Sequence, residues 1–193
     1  MSTRYQELIE QWREAAARTR EAQRLLKLAF DAHIAGGPAP SDEEVAERIR
    51  VYWRPYHERL QSALAEIKAK HGYALLWDAH SIFSVLPRFF QGKLPDLNLG
   101  TADGKSCAPG IGEALRKSVE GYSAVLNGRF KGGYITRHYG DPANNVHAVQ
   151  LELSETNYMD EKAPYRFVES KARQLRSQLR TMLELFASSV PST

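Results

Sequence analysis

Five consecutive apolar residues, Tyr73-Ala74-Leu75-Leu76-Trp77, follow a helical pattern that closes at His71-Gly72. A run that is apolar on both faces and comes straight after a helix predicts a buried strand of an α/β sheet. The chain beyond it keeps the alternation. Residues 111–120 carry a helical pattern, Ser123-Ala124-Val125-Leu126 reads as a second short strand, and residues 147–153 alternate as a third. A last amphipathic helix spans residues 165–187, with Leu175, Leu179, Leu183 and Phe186 on one face. Residues 87–109 and 127–145 are rich in Gly, Pro, Asn and Asp and read as long connections. The order as a whole is α/β.

Upstream of this pattern, Tyr5, Leu8, Trp12, Ala15, Thr19, Ala22, Leu26 and Ala29 recur three and four apart. That is a heptad seam, and it predicts one amphipathic helix over residues 3–30. Such a helix packs on its own domain or on a second copy, which makes a homodimer the expected assembly. Ile34-Ala35-Gly36-Gly37-Pro38-Ala39-Pro40 breaks it and sets a boundary between residues 1–37 and 38–193. Ser41, with Glu44 three positions on, has the pattern of a capping box. The helix it starts runs toward Trp53, where Pro55 kinks or restarts it. A further helical pattern over residues 56–70 places Leu60, Leu64 and Ile67 on one face.

A chain of 193 residues is long enough for one sizeable core. Its 26 basic and 23 acidic residues nearly cancel, so nothing points to nucleic acid as a partner. The single cysteine, Cys107, excludes an internal disulfide, and a buried, idle thiol is its expected state. No window is apolar enough for a membrane span, and the first residues lack a signal-type apolar run. The cytoplasm is the expected compartment.

Ligands of open α/β sheets bind beyond the carboxyl ends of the strands. Asp78-Ala79-His80-Ser81, just after Trp77, lies at such an end. His80 is the candidate metal ligand, since a neutral imidazole on a rigid strand suits zinc, and Asp78 stands ready to orient it. The alternative is a buried, hydrogen-bonded histidine. Glu152 sits in the apolar stretch of residues 149–153, where a carboxylate is costly unless paired or used. It is either a general base or, with Gln150, part of a solvent-facing side opposite Val149, Leu151 and Leu153. After Leu126 come Asn127 and Arg129, then Lys131, Arg137 and His138, in one Gly-rich stretch. Arginine forks suit carboxylates, so a small dicarboxylate fits this loop; a solvated basic loop is the alternative.

From about Pro40 onward the chain resembles the N-formylglutamate deformylase (amidohydrolase) family. Tyr52-Trp53-Arg54-Pro55-Tyr56-His57, Leu76-Trp77-Asp78-Ala79-His80-Ser81-Ile82 and Ser84-Val85-Leu86-Pro87-Arg88-Phe89-Phe90 carry the likeness. So do the stretches 92–104 and 126–140, then Val146-His147-Ala148-Val149-Gln150-Leu151-Glu152 and Tyr158-Met159-Asp160-Glu161. The resemblance implies a mixed sheet flanked by helices, similar to the zinc carboxypeptidase type of fold. It implies zinc held by His80, Glu152 as the general base, and Arg88, Asn127, Arg129, Arg137 and His138 facing the substrate. The implied reaction is hydrolysis of N-formyl-L-glutamate to L-glutamate and formate.

Residues 1–38 do not match the family's opening segment, with its Pro-His-x-Gly type motif, acidic residue and Asp-Leu-Asn-Arg stretch. The first two supply further metal ligands in the family, and the matching domain lacks the opening strands. An extra N-terminal helix stands there instead. Two further readings follow: a silent relative that binds small acids, and an assembly protein built on the heptad seam.

Overall fold

The first strand outruns its apolar run. In a computed structural model, which describes residues 40–189, β1 spans Ala74–Ile82 and carries Asp78 and His80 within it, not beyond its end. Pairing explains the extension. β4, Val146–Ser154, runs parallel to β1 in continuous register from Ala74↔Val146 to Ile82↔Ser154. β2, Leu97–Gly100, lies antiparallel on the other side of β4, and β3, Ala124–Leu126, runs parallel to β2. The sheet is therefore mixed, in the order β1-β4-β2-β3.

β2 is a strand where the sequence reads as loop. All four of its residues are buried. It is too short, with Pro95 just before it and Gly100 as its last residue, to show a period of two.

Alternation divides the sheet into two unlike faces. On one, Leu97, Leu99, Val149 and Leu151 form the core with Ile111 and Leu115 of α3 (Ile111–Lys117) and Met182 and Phe186 of α5 (Glu169–Ser188). Trp77 packs against Phe186 with ring centroids 5.7 Å apart. Each buried leucine there contributes about 1.5–3 kcal/mol. α5 begins at Glu169, after the expected start. Its buried residues are Ala172, Leu175, Gln178, Met182 and Phe186, whereas Leu183 is 44% exposed. Gln178 explains the rotation of the buried face. Its Oε1 accepts from Glu120 N and its Nε2 donates to Ser118 O, so the amide docks α5 against the end of α3.

The opposite face is covered by α4, Tyr134–Tyr139, a helix inside the stretch expected to be loop. A 3₁₀ turn, Pro142–Asn144, follows and leads into β4.

Among the described residues the chain divides into two units between Ser62 and Ala63. In the first, Ser41 caps α1, Asp42–Arg48, by accepting from Glu44 N. A π-helical turn, Ile49–Trp53, leads into α2, Arg54–His71. Pro55 has no N–H to give, and the wider turn meets this by sending Arg54 N back to Ile49 O. α2 ends as expected, on Gly72 with φ +80°. No helix among the described residues is long and apolar enough to cross a membrane. The helix expected over residues 3–30, and the dimer contact expected of it, lie outside the described residues.

Candidate functional site

Four polar side chains form a square on the covered face of the sheet. Register pairs His80 with Glu152 and Asp78 with Gln150, and residues two apart on a strand share a face. Asp78, Gln150 and Glu152 are buried, while the His80 side chain stays 45% exposed. Gln150 and Glu152 do lie opposite Val149, Leu151 and Leu153, but both are buried: Gln150 meets the glycine loop at Gly133, and Glu152 meets Gln150.

His80 Nε2 lies 2.9 Å from Asp78 Oδ1, and Asp78 Oδ2 accepts from Thr136 Oγ1 of α4 at 3.3 Å. With Nε2–H given to Asp78, a neutral ring carries its lone pair on Nδ1. The hydrogen bond to Asp78 raises the His80 pKa most; burial works against it, and the charges of Asp78 and Glu152 add to the rise. Glu152 is pushed up by burial, partly offset by His80 and by Gln150. Gln150 is itself oriented. Gly133 N donates to its Oε1 at 2.5 Å, which turns Nε2 toward Glu152 Oε2 at 3.3 Å.

Asn98, the register partner of Glu152 on β2, extends this row. Its Nδ2 donates to Pro95 O and Glu152 O, and its buried Oδ1 has no hydrogen-bond partner among the described residues.

The expected substrate residues occupy two loops. Asn127 adopts φ +52°, and its amide is spent on Thr101: Oδ1 accepts from Thr101 N and Nδ2 donates to Thr101 Oγ1. Arg129 donates to Phe89 O. Arg137 Nη1 donates to Gly132 O at 2.6 Å, and His138 stacks on Tyr134 with centroids 4.8 Å apart. Arg88 is exposed, with its guanidinium 5.8 Å from the Phe89 ring. Arg129 thus ties the two loops together, while Asn127 shapes the turn after β3. Cys107 is buried and its thiol pKa is raised by that burial, as an idle thiol's would be.

Sequence reasoning missed Thr136 and Asn98. Thr136 sits in a stretch with no visible period, and Asn98 on a strand too short to show one. Alternation placed Gln150 on the face of Glu152 but gave no sign of Gly133.

A family model for N-formylglutamate amidohydrolase matches residues 12–159. The chain belongs to the N-formylglutamate amidohydrolase family. The matched span starts upstream of Pro40, where the motif likeness begins. Among curated relatives, an N-formylglutamate deformylase of Pseudomonas aeruginosa is 54% identical over 151 residues, and one of Pseudomonas putida 52% identical over 151. Each alignment covers 77% of this chain and 57% of the relative, so the chain spans little more than half their length. The crystal structure of an N-formylglutamate amidohydrolase from Ralstonia eutropha JMP134 superposes with a TM-score of 0.65 at 27% identity. That superposition covers 75% of this chain and 55% of the other.

A family of amidohydrolases raises the question of a metal. Among the described residues no three His, Cys, Asp or Glu side chains converge on a point that would hold one. His80 is a donor of the right kind: Asp78 engages its Nε2, which leaves Nδ1 to bind. The described residues alone do not make a zinc site.

Proposed function

We propose that this chain is a deformylase that hydrolyses N-formyl-L-glutamate to L-glutamate and formate. The observation that carries the reading is the pairing of Glu152 with His80 on one sheet face, in a chain 54% identical to a named N-formylglutamate deformylase. Glu152 is a buried carboxylate with raised proton affinity, which makes it a better base than a solvated glutamate. It takes the proton of the attacking water and returns it to the departing amine. His80, held by Asp78, when protonated donates Nδ1–H to the oxyanion that develops at the reacting carbonyl. Arg88 and Arg137 supply cations for the two carboxylates of the substrate.

We extend the proposal to a zinc ion with His80 as one protein donor. When bound, zinc polarises the formyl oxygen and makes water a stronger acid.

The test is formate release from N-formyl-L-glutamate by the purified chain and by Glu152→Gln. Loss of about 10²–10⁴ in turnover is expected of the variant, with an unchanged fold. No formate from the parent chain refutes the deformylase reading. It would leave the silent, acid-binding relative, which the lack of a three-donor group among the described residues favours.

A further inference from the structure

Tyr158-Met159-Asp160-Glu161, part of the family likeness, takes no part in the chemistry above. We propose that Glu161, aided by Tyr158, is a positioning residue that fixes the loop of residues 84–94 and the Arg88 it carries. The functional half of this proposal rests on the reading of Arg88 given above.

The loop is closed at its neck, where Leu94 N donates to Ser84 O at 2.8 Å. Glu161, in the segment that follows β4, grips that neck. Its Oε1 accepts from Ser84 N at 2.5 Å and from Thr156 N at 3.1 Å, and its Oε2 accepts from Ser84 Oγ at 2.6 Å. One carboxylate thus joins the segment after β1 to the segment after β4. Ser84 is 3% exposed, so its N–H and hydroxyl have no water to turn to if these acceptors are lost. Tyr158 adds a second fastening, with its OH 2.9 Å from the Oγ of Ser81, the neighbour of His80.

The loop tip is tied separately. Arg129 donates to Phe89 O, and Phe90 meets Phe130 edge-on with centroids 6.5 Å apart. Arg88 lies between neck and tip, so its reach toward a ligand depends on both. Without the Glu161 carboxylate, two backbone N–H groups and the Ser84 hydroxyl lose their acceptor, and the neck opens.

Trypsin reads the neck directly. The Lys93–Leu94 bond is shielded while Leu94 N is held by Ser84 O. In the full chain, Glu161→Ala is expected to raise cleavage at Lys93–Leu94 about tenfold, because cutting tracks the open population. Glu161→Gln keeps the length and an acceptor for both N–H groups, and its amide can donate to Ser84 Oγ, so it should behave as the parent does. Cleavage after Arg173 and Arg180 in α5 should match in all three proteins. Should the alanine variant not fold, Glu161→Asp, one methylene shorter, takes its place.

In turnover, the loosened variant should show KM for N-formyl-L-glutamate raised about tenfold with kcat within about threefold, and the glutamine variant should restore it. Unchanged cleavage at Lys93–Leu94 overturns the proposal, as does a fall in kcat with KM unmoved. A parent chain that releases no formate refutes the deformylase reading alone, and the proteolysis still decides what Glu161 does.

Discussion

Gly100→Ala tests whether the glycine loop is seated against the sheet as closely as the site requires. Gly100 ends β2, and a Cβ there would stand 2.5 Å from Gly132 N, 2.6 Å from Lys131 C and 3.0 Å from Lys131 O. All three are backbone atoms, so no side chain can turn aside. Reaching ordinary contact near 3.5 Å demands a shift of about 1 Å. The loop is poorly placed to give it. Ala102 N holds Lys131 O at 2.6 Å, and Gly133 N holds Gln150 Oε1 at 2.5 Å. Overpacking of this kind costs about 1–3 kcal/mol, and losing the Gly133 bond adds about 1 kcal/mol. The expected total is about 2–4 kcal/mol, seen in urea as a midpoint lowered by about 1–2 M at constant slope. The same shift frees Gln150 and with it the orientation of Glu152, so turnover should fall more than stability alone explains. A midpoint equal to the parent's would refute the close approach. A loss of stability with turnover intact would instead show that Gly133 is not what aims Gln150.

Three further expectations follow from the geometry. Met182→Ala should cost about 2–4 kcal/mol in urea unfolding and Leu183→Ser less than about 0.5 kcal/mol, since Met182 is fully buried and Leu183 is not; equal effects would overturn the face assigned to α5. His147 is buried and accepts from Ala108 N through Nδ1, and burial lowers its pKa below 6.5. The unfolded chain therefore binds the proton first, and stability present above pH 6.5 is lost as the pH falls below it. Against His147→Gln, the parent should show the steeper acid loss in melts taken at successive pH values, and parallel curves would contradict this. Chelation followed by metal analysis should remove formate release and zinc together from the parent, with His80→Ala already lacking both; a metal-free protein at full activity would refute the zinc proposal.

What the sequence shows of this site is its strand chemistry. The sequence puts Asp78 and His80 together past the end of a strand, and alternation puts Gln150 with Glu152; the extension of β1 and its register then bring the two pairs side by side. The cover over that face is not legible in the same way. α4 is six residues long and lies between glycines, where no period can develop, so Thr136 carries no signal until the fold places it against Asp78. β2 hides for the same reason, its four residues giving too little length for alternation. Of the four residues expected on the inner face of α5, Leu175, Leu179 and Phe186 do pack on the core and only Leu183 does not, because the buried side also takes in Gln178, a paired amide that a count of apolar residues cannot anticipate.

The glycine loop reaches both halves of the square by separate routes. Thr136 supports Asp78, which holds His80; Gly133 supports Gln150, which faces Glu152. Arg137 shares α4 with Thr136 and returns its own hydrogen bond to Gly132 at the loop's base. A carboxylate drawing Arg137 toward itself therefore pulls on the segment that orients both polar pairs. On the proposed function, binding at the basic loop and alignment of the reacting groups would be one event, and the substrate's remote charge would contribute to the chemical step. A formyl amide without the side-chain carboxylate should then lose turnover as well as affinity. If N-formyl-L-alanine differed from N-formyl-L-glutamate in KM alone, with kcat retained, the loop would be a passive clamp and this coupling would be wrong.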